Sequence, residues 1–246
     1  MTKPLTVTLN DGHVMPQLGL GVWQTPPDVA AEVVKTALKA GYRAVDTAAA
    51  YRNEKGVGEG LKAAPREELF VTTKLWNDNQ GYDSTLEAFD KSLGRLGLDV
   101  IDLYLIHWPA PSKGLYLDSW KALVRLKEEG RARSIGVSNF ASEHLQRVVD
   151  ETGVTPAVNQ IELHPSFQQR SLRAFHAKHG KTPAQVVIRW HLDSGLIVIP
   201  KSVTASRIVE NIAVFDFALD AGDMTRMAAL DRVDGRIGPD PVTANF

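Results

Sequence analysis

From Gln17 to about Val214 the chain repeats one pattern, a short apolar run of strand length followed by a stretch with apolar residues at helical spacing. Strand and helix in unbroken alternation dictate parallel strands joined by crossover helices, because antiparallel neighbours need only a hairpin between them. Strand-like runs cover 18–23, 43–48, 68–76, 102–108, 133–139, 157–164 and 195–202. Helical patterns cover 28–40, a segment ending near 63, 83–96, 117–129, 143–151, 169–178, 182–193 and 205–214. Gly41 and Gly130 stand where helices stop, and Pro183 stands in a first turn. Right-handed crossovers repeated in this way close into a barrel. Two short β-runs precede it, 6–9 and 13–15, around Asn10-Asp11-Gly12, where Asp-Gly suits a primed hairpin turn that would cap the barrel.

The expected fold is therefore α/β, a (β/α)8 TIM barrel with an N-terminal β-hairpin, forming one domain over 1–246. The pattern is one strand short. It yields seven strands against eight helices, and the connector His179-Gly180-Lys181 is too brief to hold another.

Charge and composition narrow the function. Lys+Arg 28 against Asp+Glu 29 give a net charge of -1, with no general pull toward nucleic acid or an anionic membrane. Any anion must be held locally. The absence of cysteine removes disulfides, thiolate metal sites and a thiol nucleophile. The start has no long apolar stretch and no window approaches a membrane span, so the expectation is a soluble cytoplasmic protein. His164, His176, His179 and His191 lack metal-ligand spacing, and no metal site is expected.

Chemistry gathers at the carboxyl ends of the strands, where parallel barrels bind ligands. Asp46, Tyr51 in the loop after it, Lys74 and His107 occupy three successive strand ends. A phenol ordinarily titrates near 10, too high for ready proton exchange at neutral pH. An ammonium beside it favours the phenolate, and a carboxylate holds the ammonium. Asp46 would orient Lys74, Lys74 would tune Tyr51, and Tyr51 would protonate an oxygen becoming an alkoxide while His107 hydrogen-bonds the same oxygen. This set supplies a proton and no nucleophile, so a hydride donor must bring the electron pair.

Each residue has a plainer reading when taken alone. His107 would be a core histidine, Asp46 and Lys74 a structural ion pair, Tyr51 a packing residue, Ser138 and Asn139 helix caps, Lys201 and Arg207 solvated charges. Their joint occurrence at adjacent strand ends favours the catalytic reading. Trp120 and Trp190, on helices, read as core.

Six motifs in order, Gly41-Tyr42-Arg43-Ala44-Val45-Asp46-Thr47-Ala48 with Tyr51, Thr72-Thr73-Lys74-Leu75-Trp76, the block 102–109, Ser134-Ile135-Gly136-Val137-Ser138-Asn139-Phe140, Asn159-Gln160 and Ile199-Pro200-Lys201-Ser202, resemble the aldo-keto reductase superfamily. The likeness spans about 7–235 and is nearest to bacterial enzymes of the 2,5-diketo-D-gluconate reductase type. It implies a barrel that binds NADPH, with the catalytic tetrad on Asp46, Tyr51, Lys74 and His107. It also implies nicotinamide contacts from Ser138, Asn139 and Gln160. The 2'-phosphate would be recognised by Lys201, Ser202, Val203 and Arg207, with Glu210 and Asn211 near the adenine. Trp23, Trp76 and Trp108 would wall a substrate pocket.

Relatives of this type carry a seventh strand and a long following loop between the helix at 169–178 and the helix opening at Thr182. Neither has a counterpart in this sequence, and a break near 175–181 is expected, with a smaller one near 63–65. A true deletion would open the barrel and expose two sheet edges, whereas omission of a loop that closes on the cofactor leaves the fold intact; the second is preferred. The expected activity is NADPH-dependent reduction of small aldehydes, ketones or dicarbonyls by a monomer. The competing expectations are an NADPH-binding redox-sensing module with little turnover and a Schiff-base lyase using Lys74.

Overall fold

A computed structural model of the chain describes residues 5–163, 181–232 and 234–244. Six parallel strands follow one another in space as in sequence: β3 Gly19–Gly21, β4 Ala44–Asp46, β5 Phe70–Leu75, β6 Ile101–Ile106, β7 Ala132–Ser138 and β8 Asn159–Gln160. Helices α1 Ala30–Ala40, α2 Glu54–Leu61, α3 Tyr82–Leu96, α4 Tyr116–Glu128 and α5 Ser142–Thr152 make the crossovers. On the far edge of β3, parallel bridges join Leu18 to Val198 and Gly21 to Lys201.

The expected strand over 195–202 is thus a pair of bridges on the first strand, and not a continuous ladder. Pro200 has no N–H to give, which leaves its carbonyl alone to accept from Gly21 N at 3.0 Å. Among the described residues no ladder connects Gln160 to Val198. The expected helix over 169–178 and all of the junction at 175–181 except Lys181 lie outside the described residues, as do His164, His176 and His179. Residues 63–65 close α2 through turns from Ala63 N to Gly60 O and Ala64 N to Leu61 O.

Alternation of side chains along each strand sorts the sheet into two layers. Ala44, Phe70, Leu103 and Leu105 face the interior and pack with Leu9 and Met15 of the hairpin, which plugs the amino end of the barrel. Val45, Val71, Leu75, Tyr104, Ile106, Ile135 and Val137 face outward into the helices. In α1 the buried Ala30, Val33, Val34, Ala37 and Leu38 recur every three or four residues, and Gly41 ends the helix at φ 106. Helix α2 lies unusually close to its neighbours. A Cβ at Gly60 would come within 2.6 Å of Val34 Cβ, and one at Gly58 would collide with the backbone of Leu96.

The hairpin β1 Thr6–Thr8 and β2 Val14–Pro16 forms as expected, but its turn is not a primed one. Gly12 alone in the turn takes positive φ, 86°, and donates to Leu9 O at 3.0 Å, so a wider turn closed by one left-handed glycine replaces it. Trp120 is fully buried and donates to Thr152 Oγ1 at 3.1 Å, whereas Trp190 is half-buried in a smaller cluster with Val186 and Met227.

Three helices follow, α6 Pro183–Asp193, α7 Ala205–Ile212 and α8 Ala221–Ala228. The last was not expected. Asp220 caps it by accepting from Asp223 N at 2.8 Å. No described helix is long and apolar enough to cross a membrane.

Candidate active site

The inward positions of β4 and β5 rise from apolar at the hairpin end to charged at the opposite end: Ala44 then Asp46, Phe70 then Thr72 then Lys74. On the next strand the same face ends at His107, just past β6. Period-two alternation therefore delivers three of the expected residues to one rim. Tyr51 reaches it from a single 3-10 turn, Ala49–Tyr51, closed by Arg52 in the left-handed region at φ 57.

Lys74 is fully buried. Its Nζ donates to Asp46 Oδ1 at 2.5 Å and to the carbonyl of Thr47 at 2.9 Å, and lies 5.2 Å from the centre of the Tyr51 ring. Burial works to depress the ammonium, but the Asp46 carboxylate, with Tyr51, more than offsets it and holds the proton on. His107 stands edge-on between two rings, Tyr51 at 5.6 Å and Trp76 at 5.4 Å between centroids. Burial, with Lys74 nearby, lowers its pKa to about 3, so the imidazole is neutral, and its Nδ1 has no hydrogen-bond partner among the described residues.

Tyr51 departs from the expected tuning. Burial pushes the phenol above its ordinary range, and Lys74 pulls against that shift without reversing it. The hydroxyl is thereby held as an acid with its proton in place. The ammonium limits the cost of the phenolate that forms once the proton leaves.

Ser138 and Asn139 do not cap a helix, since the N-cap of α5 is Ala141. Asn139 takes φ 59, a conformation asparagine tolerates, and its Nδ2 donates to His107 O at 3.0 Å and to Ser138 Oγ at 3.2 Å. Ser138 Oγ donates to Gln160 O at 2.8 Å, and Gln160 Nε2 donates to Asp46 Oδ2 at 3.1 Å. These three residues and the tetrad form one continuous polar rim.

Lys201, Val203 and Arg207 are exposed beside the first turn of α7, and Ser202 is buried there with its Oγ accepting from Thr204 N at 3.1 Å. Among the described residues neither Lys201 nor Arg207 has a carboxylate partner. Two uncommitted cations at a helix N-terminus fit a phosphate, so the donor set suits a phosphorylated dinucleotide. Asn211 is buried, and the Glu210 carboxylate is taken up by Thr182 Oγ1 at 2.6 Å, at the start of α6. Trp76 is half-buried on His107 and Trp108 is half-buried, its carbonyl accepting from Gln80 Nε2 at 2.8 Å, whereas Trp23 is 58% exposed.

Two polar residues at this rim escape the sequence reading. The Thr47 carbonyl holds Lys74, and Asn53 is buried behind it, accepting from Thr47 Oγ1. His191 is structural, its ring nitrogens set against Val187 O at 2.8 Å and Leu163 O at 3.0 Å. No group of three or more metal-ligating side chains occurs among the described residues.

Known proteins share this sequence and fold. The profile of the Aldo/keto reductase family matches residues 15–175 and 169–232. An aldo-keto reductase of Mycolicibacterium smegmatis is 52% identical over 270 residues, covering 98% of each chain. The methylglyoxal reductase DkgA of Escherichia coli is 52% identical over 273 residues, again covering 98% of each. The crystal structure of a Gox0644 mutant in complex with NADPH superimposes with a TM-score of 0.93 at 56% identity, over 99% of this chain and 100% of that one. Fold and sequence coincide over nearly the whole length, and the chain belongs to the aldo/keto reductase family.

Proposed function

We propose that the protein reduces small aldehydes, ketones or dicarbonyls to alcohols with NADPH, Tyr51 acting as the general acid. The observation that carries this reading is the fully buried Lys74, held by Asp46 and the Thr47 carbonyl against the Tyr51 ring. When bound, NADPH supplies the hydride. Tyr51 gives its proton to the carbonyl oxygen as negative charge develops there, and the Lys74 ammonium stabilises the phenolate left behind. Neutral His107 offers a hydrogen bond to the same oxygen and sets its approach. Ser138, Asn139 and Gln160 would hold the nicotinamide amide, and Lys201, Ser202, Val203 and Arg207 would take the 2'-phosphate, with Glu210 and Asn211 toward the adenine. Trp23, Trp76 and Trp108 form the apolar wall that receives a small substrate.

The relatives named as methylglyoxal reductases support a dicarbonyl as the first substrate to test. NADPH oxidation followed by absorbance with methylglyoxal should proceed at ordinary enzymatic turnover. Binding of NADPH without oxidation across aldehydes, ketones and dicarbonyls would favour the redox-sensing module.

One domain over 1–246, acting as a cytoplasmic monomer, belongs to the same reading. So does a break near 175–181, with a smaller one near 63–65. The family match falling in two pieces that overlap at 169–175, and alignments of 270 and 273 positions against 246 residues, support the larger break.

A further inference from the structure

Asn53 is the N-cap residue of α2, yet its side chain makes no cap hydrogen bond to that helix. An asparagine in this position ordinarily satisfies one of the free N–H groups of the first turn. Here the side chain is turned inward and is 0% exposed. Its Oδ1 accepts from Thr47 Oγ1 at 2.8 Å, and its Nδ2 donates to Val22 O at 2.9 Å and Thr25 O at 3.1 Å. Both donors and the acceptor of one amide are thus spent on the segments that follow β3 and β4.

Those segments carry the site. Thr47 lies next to Asp46, and its own carbonyl accepts from Lys74 Nζ. Val22 N in turn donates to Asp46 O at 3.1 Å. Tyr51 precedes Asn53 by two residues, across the left-handed Arg52, so the point at which Asn53 is fixed sets where the phenol stands. The close approach of α2 to α1 and α3 at Gly58 and Gly60 leaves that helix little room to shift in compensation.

We propose that Asn53 is a positioning residue, joining the Tyr51 turn to the hydroxyl of Thr47, the residue whose carbonyl holds Lys74, so that phenol and ammonium keep their separation. The proposal rests on the reading of Tyr51 as the acid. Asn53 touches neither substrate nor cofactor in this account; it acts through Tyr51 and, by way of Thr47, through Lys74.

The test uses Thr47→Val, which removes the hydroxyl with little change of volume, together with Thr47→Ser and Asn53→Asp. Each is measured for kcat and for the KM of NADPH, beside Tyr51→Phe. Misplacement of reacting groups by about an ångström costs up to roughly a hundredfold in rate. Thr47→Val is expected to lower kcat about tenfold and Asn53→Asp more, with the KM of NADPH within about twofold of the wild type, since the fault lies in a proton-transfer geometry. Thr47→Ser should recover most of the loss.

Loss of turnover in Tyr51→Phe with wild-type kcat in Thr47→Val would overturn the positioning role alone. Full turnover in Tyr51→Phe would overturn the reading beneath it. If Thr47→Val loses kcat and NADPH affinity together, or Thr47→Ser fails to recover, the contact is merely structural and the proposal falls. Should Asn53→Asp fail to fold, Thr47→Val decides.

Discussion

Gln160 Nε2 donates to Asp46 Oδ2 at 3.1 Å, so a residue proposed to contact the nicotinamide also holds the carboxylate that secures Lys74. In the proposed function, cofactor binding and proton delivery share this side chain. Gln160→Leu is expected to weaken NADPH binding about tenfold, the loss of one hydrogen bond of about 1.4 kcal/mol, and to lower kcat as well. Fluorescence titration and steady-state rates measure the two effects. Unaltered affinity would remove Gln160 from the cofactor site.

A buried ammonium with a buried carboxylate is stable only as a pair. Lys74→Met leaves Asp46 without its partner, and the expected loss is about 3–5 kcal/mol, read as a lower urea midpoint. Pairing it with Asp46→Leu should recover much of that stability while activity stays lost. Equal stability of the single and double variants would mean that the pair is not the tight contact described.

The neutral state of His107 makes stability depend on acid. Its pKa falls from an ordinary 6.5 to about 3 in the folded chain, so between these values the unfolded chain binds a proton that the folded chain refuses. Stability therefore drops as pH falls through that window. From pH 7 to pH 5 this one group costs about 2 kcal/mol, and His107→Gln should flatten the dependence by that amount in urea unfolding. An unchanged slope would place the imidazole in a more solvated setting.

Cofactor choice should be set by local charge, given a chain with a net charge of -1. Arg207→Ala is expected to weaken NADPH tenfold or more, about 1.4 kcal/mol for a charge-assisted contact, and to change NADH by less than about twofold. Binding titrations with both nucleotides check this. An equal loss for both would move Arg207 away from the 2'-phosphate.

The strand and helix alternation was legible because burial on both faces leaves long apolar runs, and the rim followed from period-two alternation ending in Asp46, Lys74 and His107. The turn at Asp11-Gly12 reads as primed because one left-handed residue and two look alike in a dipeptide. Residues 195–202 read as a full strand because apolar side chains mask the N–H that Pro200 lacks. The upward push on Tyr51 depends on how closely its surroundings exclude water, which spacing alone does not encode. Asn53 stayed hidden for a different reason: helix-capping asparagines are common, and only the direction of the amide separates a cap from a clamp.

The whole proposed reaction depends on the Tyr51 hydroxyl delivering the proton. Single-turnover reduction of methylglyoxal by Tyr51→Phe, with NADPH affinity titrated on the same preparation, tests it most directly. Binding within about twofold of wild type and a rate lower by roughly a hundredfold to ten-thousandfold are expected. A wild-type rate in that variant would contradict it.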